Sequence, residues 1–493
     1  MGRGAAALCL AVAISSNPLC QAQQGARTSQ SSAGAPAGGA YSSSGAVSQS
    51  GAVSQSGTQQ NPFQGGVTEG KATGGVISLS LDDAIQRGLR NNLGYVLQSV
   101  SVKQAGGQRL QELQPLLPTI SGEAVIRVSQ INLRAQGINF AGVPAIVGPF
   151  QTVDFRASLT QAVLNLPALR NYLAAKHEFE AAKLSVDDAS DMVVLAVGNA
   201  YLTVVADAAR VVSVEAQVGT SKVSLDQAVS QHAAGTAPKL DELRARVDFQ
   251  TQQQLLIQAQ NDFEKDKIAL ARAIGLPLDQ QFILSDTVPY SELVGIDQQA
   301  AIQQALDARS DVKALREQVK AAESSRSSAR AERYPAADIA GDYGDIGITP
   351  GHSHGTGEVA GRVSAPIFEE PRLRGDLKVA DAQLQQRRAQ LNDAEAQVRA
   401  DVIDSLLDLQ ASAKLVEVSR SNVDLTTEAL KEAQDRYANG VSDNLPVSQA
   451  QTSLAQANDQ YVGSLYEHNL AKLSLARALG RARNNYKTYL GGK

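Results

Sequence analysis

QHAAG at residues 231–235 and ALARAIG at residues 269–275 recur later in the chain as RYANG at 436–440 and SLARALG at 474–480. In each copy the two closing glycines are 40 residues apart, and the copies are offset by 205. A repeated spacing that ends on a repeated motif indicates an internal duplication. The sequence therefore predicts two equivalent halves.

Each copy is typical of a long helix, a tight turn and a returning helix. No proline falls between Pro167 and Pro238 or between Pro371 and Pro446, so each long helix can run for about 65 residues, or roughly 100 Å. Apolar residues recur every seven positions in both, which predicts coiled-coil-like packing on a partner helix. These rows are Val197, Val204, Val211, Val218 and Leu225 in the first copy and Val402, Leu409, Val416, Val423 and Leu430 in the second.

The chain before the first copy has two distinct parts. Residues 1–22 are typical of a secretory signal, with Arg3, an apolar run at 5–14 and a small-residue cleavage site at 20–22. Both cysteines, Cys9 and Cys20, fall inside this segment, and Leu19 argues against lipidation of Cys20. Residues 23–75 are rich in Gly, Ser and Gln and repeat GAVSQS, which predicts a disordered tail.

The duplicated region divides into helices and strands of characteristic lengths. The first repeat, 76–285, is predicted to hold a helix capped by Ser80, strands at 119–131 and 151–164, a long helix at 167–233, a turn at 235 and a return helix at 238–274. The second repeat, 286–482, is predicted to hold a helix, strands at 336–347 and 356–368, a long helix at 371–438, a turn at 440 and a return helix at 445–479. Residues 483–493 form a C-terminal tail.

The four strands alternate apolar and polar residues over about ten positions each. Ten tilted residues span the hydrocarbon layer of a membrane, where only closed barrels satisfy the backbone. Because about eight strands are the practical minimum for closure, the chain must combine strands with copies of itself. The alternative is two exposed hairpins on a helical protein. The apolar stretch 192–206 is too short and too polar for a spanning helix and is interpreted as a buried seam.

Taken together, these motifs resemble the outer-membrane efflux protein family of TolC-like channels. The residues that carry the resemblance are LDDAI at 81–85, Pro118, Pro335, RYANG at 436–440, Gln449-Ala450 and the two closing motifs. The resemblance covers residues 79 to about 482. It implies a mainly α protein with membrane β-structure, in which duplicated helical hairpins form an α-barrel. It also implies four strands per chain in a trimeric 12-stranded barrel, placed in the outer membrane of a Gram-negative bacterium and extending into the periplasm.

The resemblance further implies a function and two sites. The function is the exit duct of a tripartite efflux pump or type I secretion system, passing small molecules or polypeptides and working with a periplasmic adaptor and an inner-membrane pump. The docking tip would comprise Gly235, Thr236, Gly440, Val441 and Ser442, with Thr236 as the expected N-cap of the return helix. An aperture ring would comprise Asp241, Glu242 and Asp443. Two positions that often carry acids in the family's second turn are Pro446 and Gln449 here.

The sequence offers little to other function classes. A net charge of −5 gives no basic surface for nucleic acid. His352 and His354 lie in a Gly-rich loop without acid or cysteine at ligand spacing, so no metal, cofactor or enzyme activity is predicted. The alternative function is a periplasmic coiled-coil adaptor or structural protein, which would need one hairpin rather than two and no membrane-length strands.

Overall fold

The computed structural model describes residues 61–72, 74–137, 142, 144–285, 296–442, 444–483 and 486. The predicted signal peptide at 1–22 and the predicted tail as far as residue 60 lie outside these residues. So do Asp443 and residues 487–493 of the predicted C-terminal tail.

The two halves repeat one order of elements: a short strand, two helices, a strand pair and two long helices. The first half consists of β1 (Ile77–Leu79), α1 (Leu81–Asn91), α2 (Leu93–Leu113), β2 (Thr119–Asn132), β3 (Ile146–Leu164), α3 (Leu166–Ala233) and α4 (Lys239–Ala273). The second consists of β4 (Phe282–Leu284), α5 (Gln298–Ala308), α6 (Ser310–Ala331), β5 (Ala336–Gly347), β6 (Ser353–Ser364), α7 (Glu370–Ala438) and α8 (Leu445–Ala478).

Local capping chemistry fixes where the helices begin. The hydroxyl of Ser80 accepts the backbone N–H of Asp83 at 3.1 Å, so Ser80 is the N-cap of α1, as its position in the sequence predicts. Asp297 caps α5 in the same way, through the N–H of Ala300 at 2.9 Å. Asn165 caps α3, and Pro167 occupies its first turn, where a missing N–H costs nothing.

The four long strands form one antiparallel sheet in the order β2-β3-β5-β6. Because β3 of the first half pairs with β5 of the second, the sheet joins the two halves. β3 begins five residues before its predicted start. β6 covers Ser353–Ser364 rather than 356–368, since Pro366 has no N–H to continue the ladder. β2 and β6 are the two edge strands of this sheet, because each pairs with a single strand in the described part of the chain.

The sheet has one apolar and one polar face. Its apolar face is exposed: Ile120 is 76% exposed, Val359 82% and Val363 76%. The opposite face carries Ser121, Ser158 and other polar residues of the same register. This alternation is what a barrel strand needs, with apolar side chains toward lipid and polar ones toward the interior.

The four long helices lie side by side in the order α4-α3-α8-α7. The shorter helices α2 and α6 pack on α3, and the shorter helices α5 and α6 pack on α7. The main core gathers residues of α1, α3, the end of α4 and the end of α8 around Val193, Val197 and Tyr201. A second core joins α5, α7 and α8 around Val402 and Leu475.

The predicted heptad seams hold in part. In α7, Val402, Leu409, Val416 and Leu430 are buried and Val423 is half-buried. In α3, Val197 and Val204 are fully buried, but further along the seam moves to Val214, Ser221 and Ala228. The predicted positions Val211, Val218 and Leu225 are only half-buried. Residues spaced by seven still form the seam, offset by three positions from the predicted row.

One described helix, α3, is long and apolar enough over part of its length to cross a membrane, judged by length and composition alone. Its apolar stretch at 192–206 contains Val193, Val197, Tyr201 and Val204, all fully buried in the main core. This agrees with the interpretation of the stretch as a packed seam.

Both ends of the described chain are packed, which corrects the predicted tails. Residues 61–72 lie on the first half rather than forming part of a disordered tail. The N–H of Val67 donates to Asn91, and the N–H of Glu69 donates to Gly275, while the ring of Phe63 packs on the main core. At the other end Tyr486 is buried in that core, and its hydroxyl donates to Asp82.

The short parallel sheet β1-β4 was not predicted. Ile77 pairs with Phe282 and Leu79 with Leu284, so each half starts with one strand of this pair. By this symmetry β4 belongs to the second half, although the predicted boundary at 285/286 assigns it to the first. Three residues are too few for an alternation pattern to be recognised.

Candidate functional site at the helix turns

The two helix turns have the same backbone geometry. At the first, Gly235 has φ 73°, the N–H of Thr236 donates to the carbonyl of Gln231 at 3.0 Å, and the N–H of Gly235 donates to His232 at 2.9 Å. At the second, Gly440 has φ 69°, with matching bonds from Val441 to Arg436 and from Gly440 to Tyr437. This is the Schellman ending, whose left-handed residue is nearly always glycine because a Cβ is strained there.

Thr236 does not act as the N-cap of α4, contrary to the sequence-based expectation. Its hydroxyl donates to the carbonyl of Gln231 at 3.0 Å, so it closes the end of α3. The N-cap position of α4 is Pro238, and its carbonyl accepts the N–H of Asp241 at 3.1 Å. The expectation was wrong because a threonine side chain bonds backward when the preceding helix leaves free carbonyls.

The predicted docking-tip residues lie at the end of the helical part and differ in exposure. Gly235, Thr236, Gly440 and Val441 are exposed, and Ser442 is half-buried. Apolar side chains continue the surface onto the return helices. They are Leu240, Leu243 and Val247 on α4 and Leu445 on α8, between 41% and 60% exposed. Three of them, at positions i, i+3 and i+7, form a stripe on one face of α4.

Glu242, a predicted aperture residue, is enclosed by positive groups. Its carboxylate lies 2.6 Å from Nζ of Lys239 and 2.9 Å from Nη2 of Arg246, and Nε2 of His232 is 4.0 Å away. The hydrogen bond from Lys239 is the main cause that lowers the pKa of Glu242. The neutralising partners are at i−3 and i+4 on the same helix, a spacing that the sequence makes visible.

Asp241, the other described aperture candidate, is only 3% exposed. Its nearest cation is Arg244, whose Nη1 is 3.7 Å from Oδ1, and that oxygen has no hydrogen-bond partner among the described residues. Burial first, and then the negative charge of Asp241, raises the pKa of Tyr437 at the end of α7. The Tyr437 hydroxyl is likewise buried without a described partner. The charge of Asp241 in the first turn of α4 is thus felt by Tyr437 in the last turn of α7.

Sequence reasoning did not find Tyr437, although it is the tyrosine of the RYANG motif. An electrostatic influence between residues almost 200 positions apart leaves no periodic signal in one sequence. The surroundings of His352, which was considered above as a metal ligand, do not indicate a metal site. His352 contacts Thr349 through Nδ1 at 3.2 Å. The described ranges contain no group of three or more His, Cys, Asp or Glu residues placed to hold a metal ion.

Comparison with known proteins gives the same architecture. The chain is 26% identical over 335 residues to a probable efflux pump outer membrane protein, SepC, of Pseudomonas putida, a match to 65% of this chain and 66% of that relative's length. It is 24% identical over 422 residues to the pyoverdine export outer membrane protein OpmQ of Pseudomonas putida, covering 82% of this chain and 86% of the relative.

A solved structure has the same fold. It is the outer membrane protein VceC of Vibrio cholerae, with a TM-score of 0.72 and 21% identity, covering 82% of this chain and 97% of that one. The family model for outer membrane efflux proteins matches residues 85–276 and 301–481, which are the two repeats. Since this match takes in well over half of the chain, the protein belongs to the outer membrane efflux protein family, a family of transport channels.

Proposed function

We propose that this chain is the outer-membrane exit duct of a tripartite efflux pump and that it works as a homotrimer. Four strands with free edges at β2 and β6 cannot enclose a pore alone, whereas three copies supply twelve. The edge helices α4 and α7 carry exposed apolar residues, among them Ile257 and Val418, which a neighbouring copy would cover. Twelve long helices would then continue the barrel as a tunnel of roughly 100 Å.

The helix turns are the proposed docking site for a periplasmic adaptor and, through it, an inner-membrane pump. Gly235, Thr236, Gly440, Val441 and Ser442 are at the end farthest from the sheet, and the apolar stripe of α4 adjoins them. An exposed apolar surface bordered by polar residues is typical of a protein interface. A helical adaptor whose own tip is apolar fits this surface.

The aperture is proposed to depend on Asp241 more than on Glu242. Threefold symmetry would bring three Asp241 carboxylates around one axis, and a ring of like charge favours cations. Lys239 and Arg246 offset the charge of Glu242. Asp443, which lies outside the described residues, would contribute a second negative charge per chain from the other turn.

One observation carries the proposed function: membrane-length strands, apolar on one face, run directly into helices of 68 and 69 residues. The test is purification in detergent followed by mass measurement and recording in planar bilayers. A trimer that forms discrete channels, and that restores drug tolerance to a strain lacking its own exit duct, is the expected result. A chain that stays soluble and monomeric without detergent would instead indicate the adaptor class.

A further inference from the structure

The polar face of the sheet carries more acid than base. Five carboxylates and three guanidinium groups share the registers of that face. The acids are Glu123, Asp154, Asp338, Asp342 and Glu358, and the bases are Arg127, Arg156 and Arg362. The apolar face has one charged strand residue, Asp345. The polar face therefore carries a net excess of two negative charges per chain, against one on the apolar face.

The excess is concentrated in one row across all four strands. Ser121 pairs with Ser158, Ser158 with Asp342, and Asp342 with Glu358. We call these four residues the carboxylate row. Asp342 and Glu358 are direct cross-strand neighbours, an arrangement that destabilises a sheet when both are charged. The row itself contains no positive residue.

Only one of these two carboxylates has a positive partner. Nη1 of Arg156 is 2.5 Å from Oδ1 of Asp342, and Nη2 of the same guanidinium is 3.2 Å from Oδ2 of Asp154. Glu358 is exposed and forms no ion pair with any residue that the structure describes. Arg156 thus divides its single charge between two aspartates and leaves Glu358 uncompensated.

We propose that the carboxylate row makes the β-barrel itself selective, so that cationic solutes pass more readily than anionic ones. This inference rests on the proposed function, because the polar face lines a lumen only in the closed trimer. Three copies would place two carboxylates each at one level of the wall. A wall of one sign attracts counter-ions and repels co-ions. The wall is separate from the aperture at the helix turns, since the sheet and the turns are at opposite ends of α3 and α7.

Ionic strength provides an internal check. At 0.15 M salt the Debye length is about 8 Å, and at 0.01 M it is about 30 Å. The field of a wall charge therefore extends further into the lumen at low salt. The preference for cations that depends on the row should weaken as salt is raised.

The experiment is measurement of reversal potentials for purified trimers in planar bilayers under a KCl gradient. Glu358→Gln alone and Asp342→Asn/Glu358→Gln together are expected to lower the ratio of cation to anion permeability, the double variant by about twofold or more at low salt. Arg156→Gln, which frees two aspartates, is expected to raise the ratio. Asp345→Asn, on the apolar face, is the matched control and should leave it unchanged.

The outcomes separate the inference from the proposed function. A wild-type protein that forms no channel contradicts the proposed function. Wild-type channels with permeability ratios unchanged in Glu358→Gln and in Arg156→Gln overturn the inference and leave the duct intact. If the double variant does not assemble, Glu358→Gln still decides, because its side chain is exposed and makes no ion pair in the described structure. A decrease in Glu358→Gln with an increase in Arg156→Gln supports it, since a general loosening of the barrel would not produce opposite signs.

Discussion

Arg309, at the junction of α5 and α6, donates from Nη1 to Oδ2 of Asp401 on α7 at 2.7 Å. Its Nη2 and Nε donate to Asp311 at 2.7 and 3.1 Å. The arginine itself is buried, at 7% exposure. It therefore connects α5 and α6 to the long helix α7, which ends at the turn that contains Gly440.

Replacing Arg309 with Ala should destabilise the helical part by roughly 2–3 kcal/mol. Removal of Arg309 takes away the ion-pair partner of Asp401 and leaves Asp311 with Arg477 at 4.0 Å, whereas the loss for a fully buried pair would be larger, about 3–5 kcal/mol. The aspartates are partly solvated, which reduces the effect. Thermal unfolding in detergent, followed by far-UV circular dichroism, measures it.

Arg372→Ala is the matched control for Arg309→Ala. Arg372 forms three ion pairs, with Glu332, Glu369 and Asp376, yet its side chain is 54% exposed. Exposed pairs contribute little, typically 0–1 kcal/mol. Equal losses of stability in the two variants would show that burial does not increase the contribution of the Arg309 ion pairs.

The carboxyl group of Asp207 should make stability depend on pH. Burial, followed by a hydrogen bond and like charge from Asp266, raises the pKa of Asp207 to about 7. Nearby Asp262 adds to the rise, and Arg210 opposes it. Oδ2 of Asp207 is buried and receives no hydrogen bond within the described ranges, so the ionised form of this carboxyl group is costly there.

The sign follows from linkage. A carboxyl group whose folded pKa is raised contributes stability below its unfolded pKa, near 4, and loses it as pH rises through about 7. We expect the melting temperature of the wild type to fall over this window, and Asp207→Asn to remove that part of the fall. Asp248→Asn, at a position on α4 outside this cluster, serves as control. A parallel decline in the wild type and Asp207→Asn would contradict the assignment.

Elements with many repeats of one pattern were predicted to within a few residues, because each additional turn or pair adds to the signal. The long helices α3 and α7 each begin one residue before their predicted starts and end at the predicted residues 233 and 438. The strand at 336–347 has its predicted bounds. The two turn glycines were found because they recur at one spacing.

What the sequence did not predict depends on single contacts between distant residues. The packing of Phe63 and Tyr486 onto the main core, the three-residue strands β1 and β4, and the effect of Asp241 on Tyr437 belong to this class. At the candidate site, the residue types and their places in the turns were predictable. The burial of Asp241 and Glu242 was not, because it requires the relative placement of four helices. Thr236 shows the same limit locally, since its hydroxyl could either accept an N–H at the start of α4 or donate to a carbonyl at the end of α3.

Valine at Gly235 and Gly440 should impair transport without preventing assembly. Both glycines have left-handed backbones, and a β-branched residue is strained there. A Cβ at either position meets no atom within 4 Å, so the strain falls on the turn and not on the core. We expect drug efflux and cross-linking to an adaptor to fall while the trimer remains on native gels.

Gly219→Val is the control for the turn variants. Gly219 lies within α3, also has open space around its Cβ position and lacks a positive φ. It therefore tests the presence of valine on a long helix without altering a turn. If transport and adaptor cross-linking are normal in Gly235→Val/Gly440→Val, the docking surface is not at this end.

Asp241→Asn should reduce cation preference at the tip, whereas Glu242→Gln should change it little. Both residues lie in the first turn of α4, where a negative charge also stabilises the helix dipole by about 0.3–1 kcal/mol. They differ in their partners, because Lys239 and Arg246 lie within 3 Å of Glu242 while the nearest cation to Asp241 is 3.7 Å away. Single-channel recording of both variants, with Asp443→Asn beside them, measures the preference. Melting temperatures measured in parallel report the capping role. Wild-type selectivity in Asp241→Asn/Asp443→Asn, with a lowered melting temperature, would leave Asp241 as a helix-stabilising residue alone.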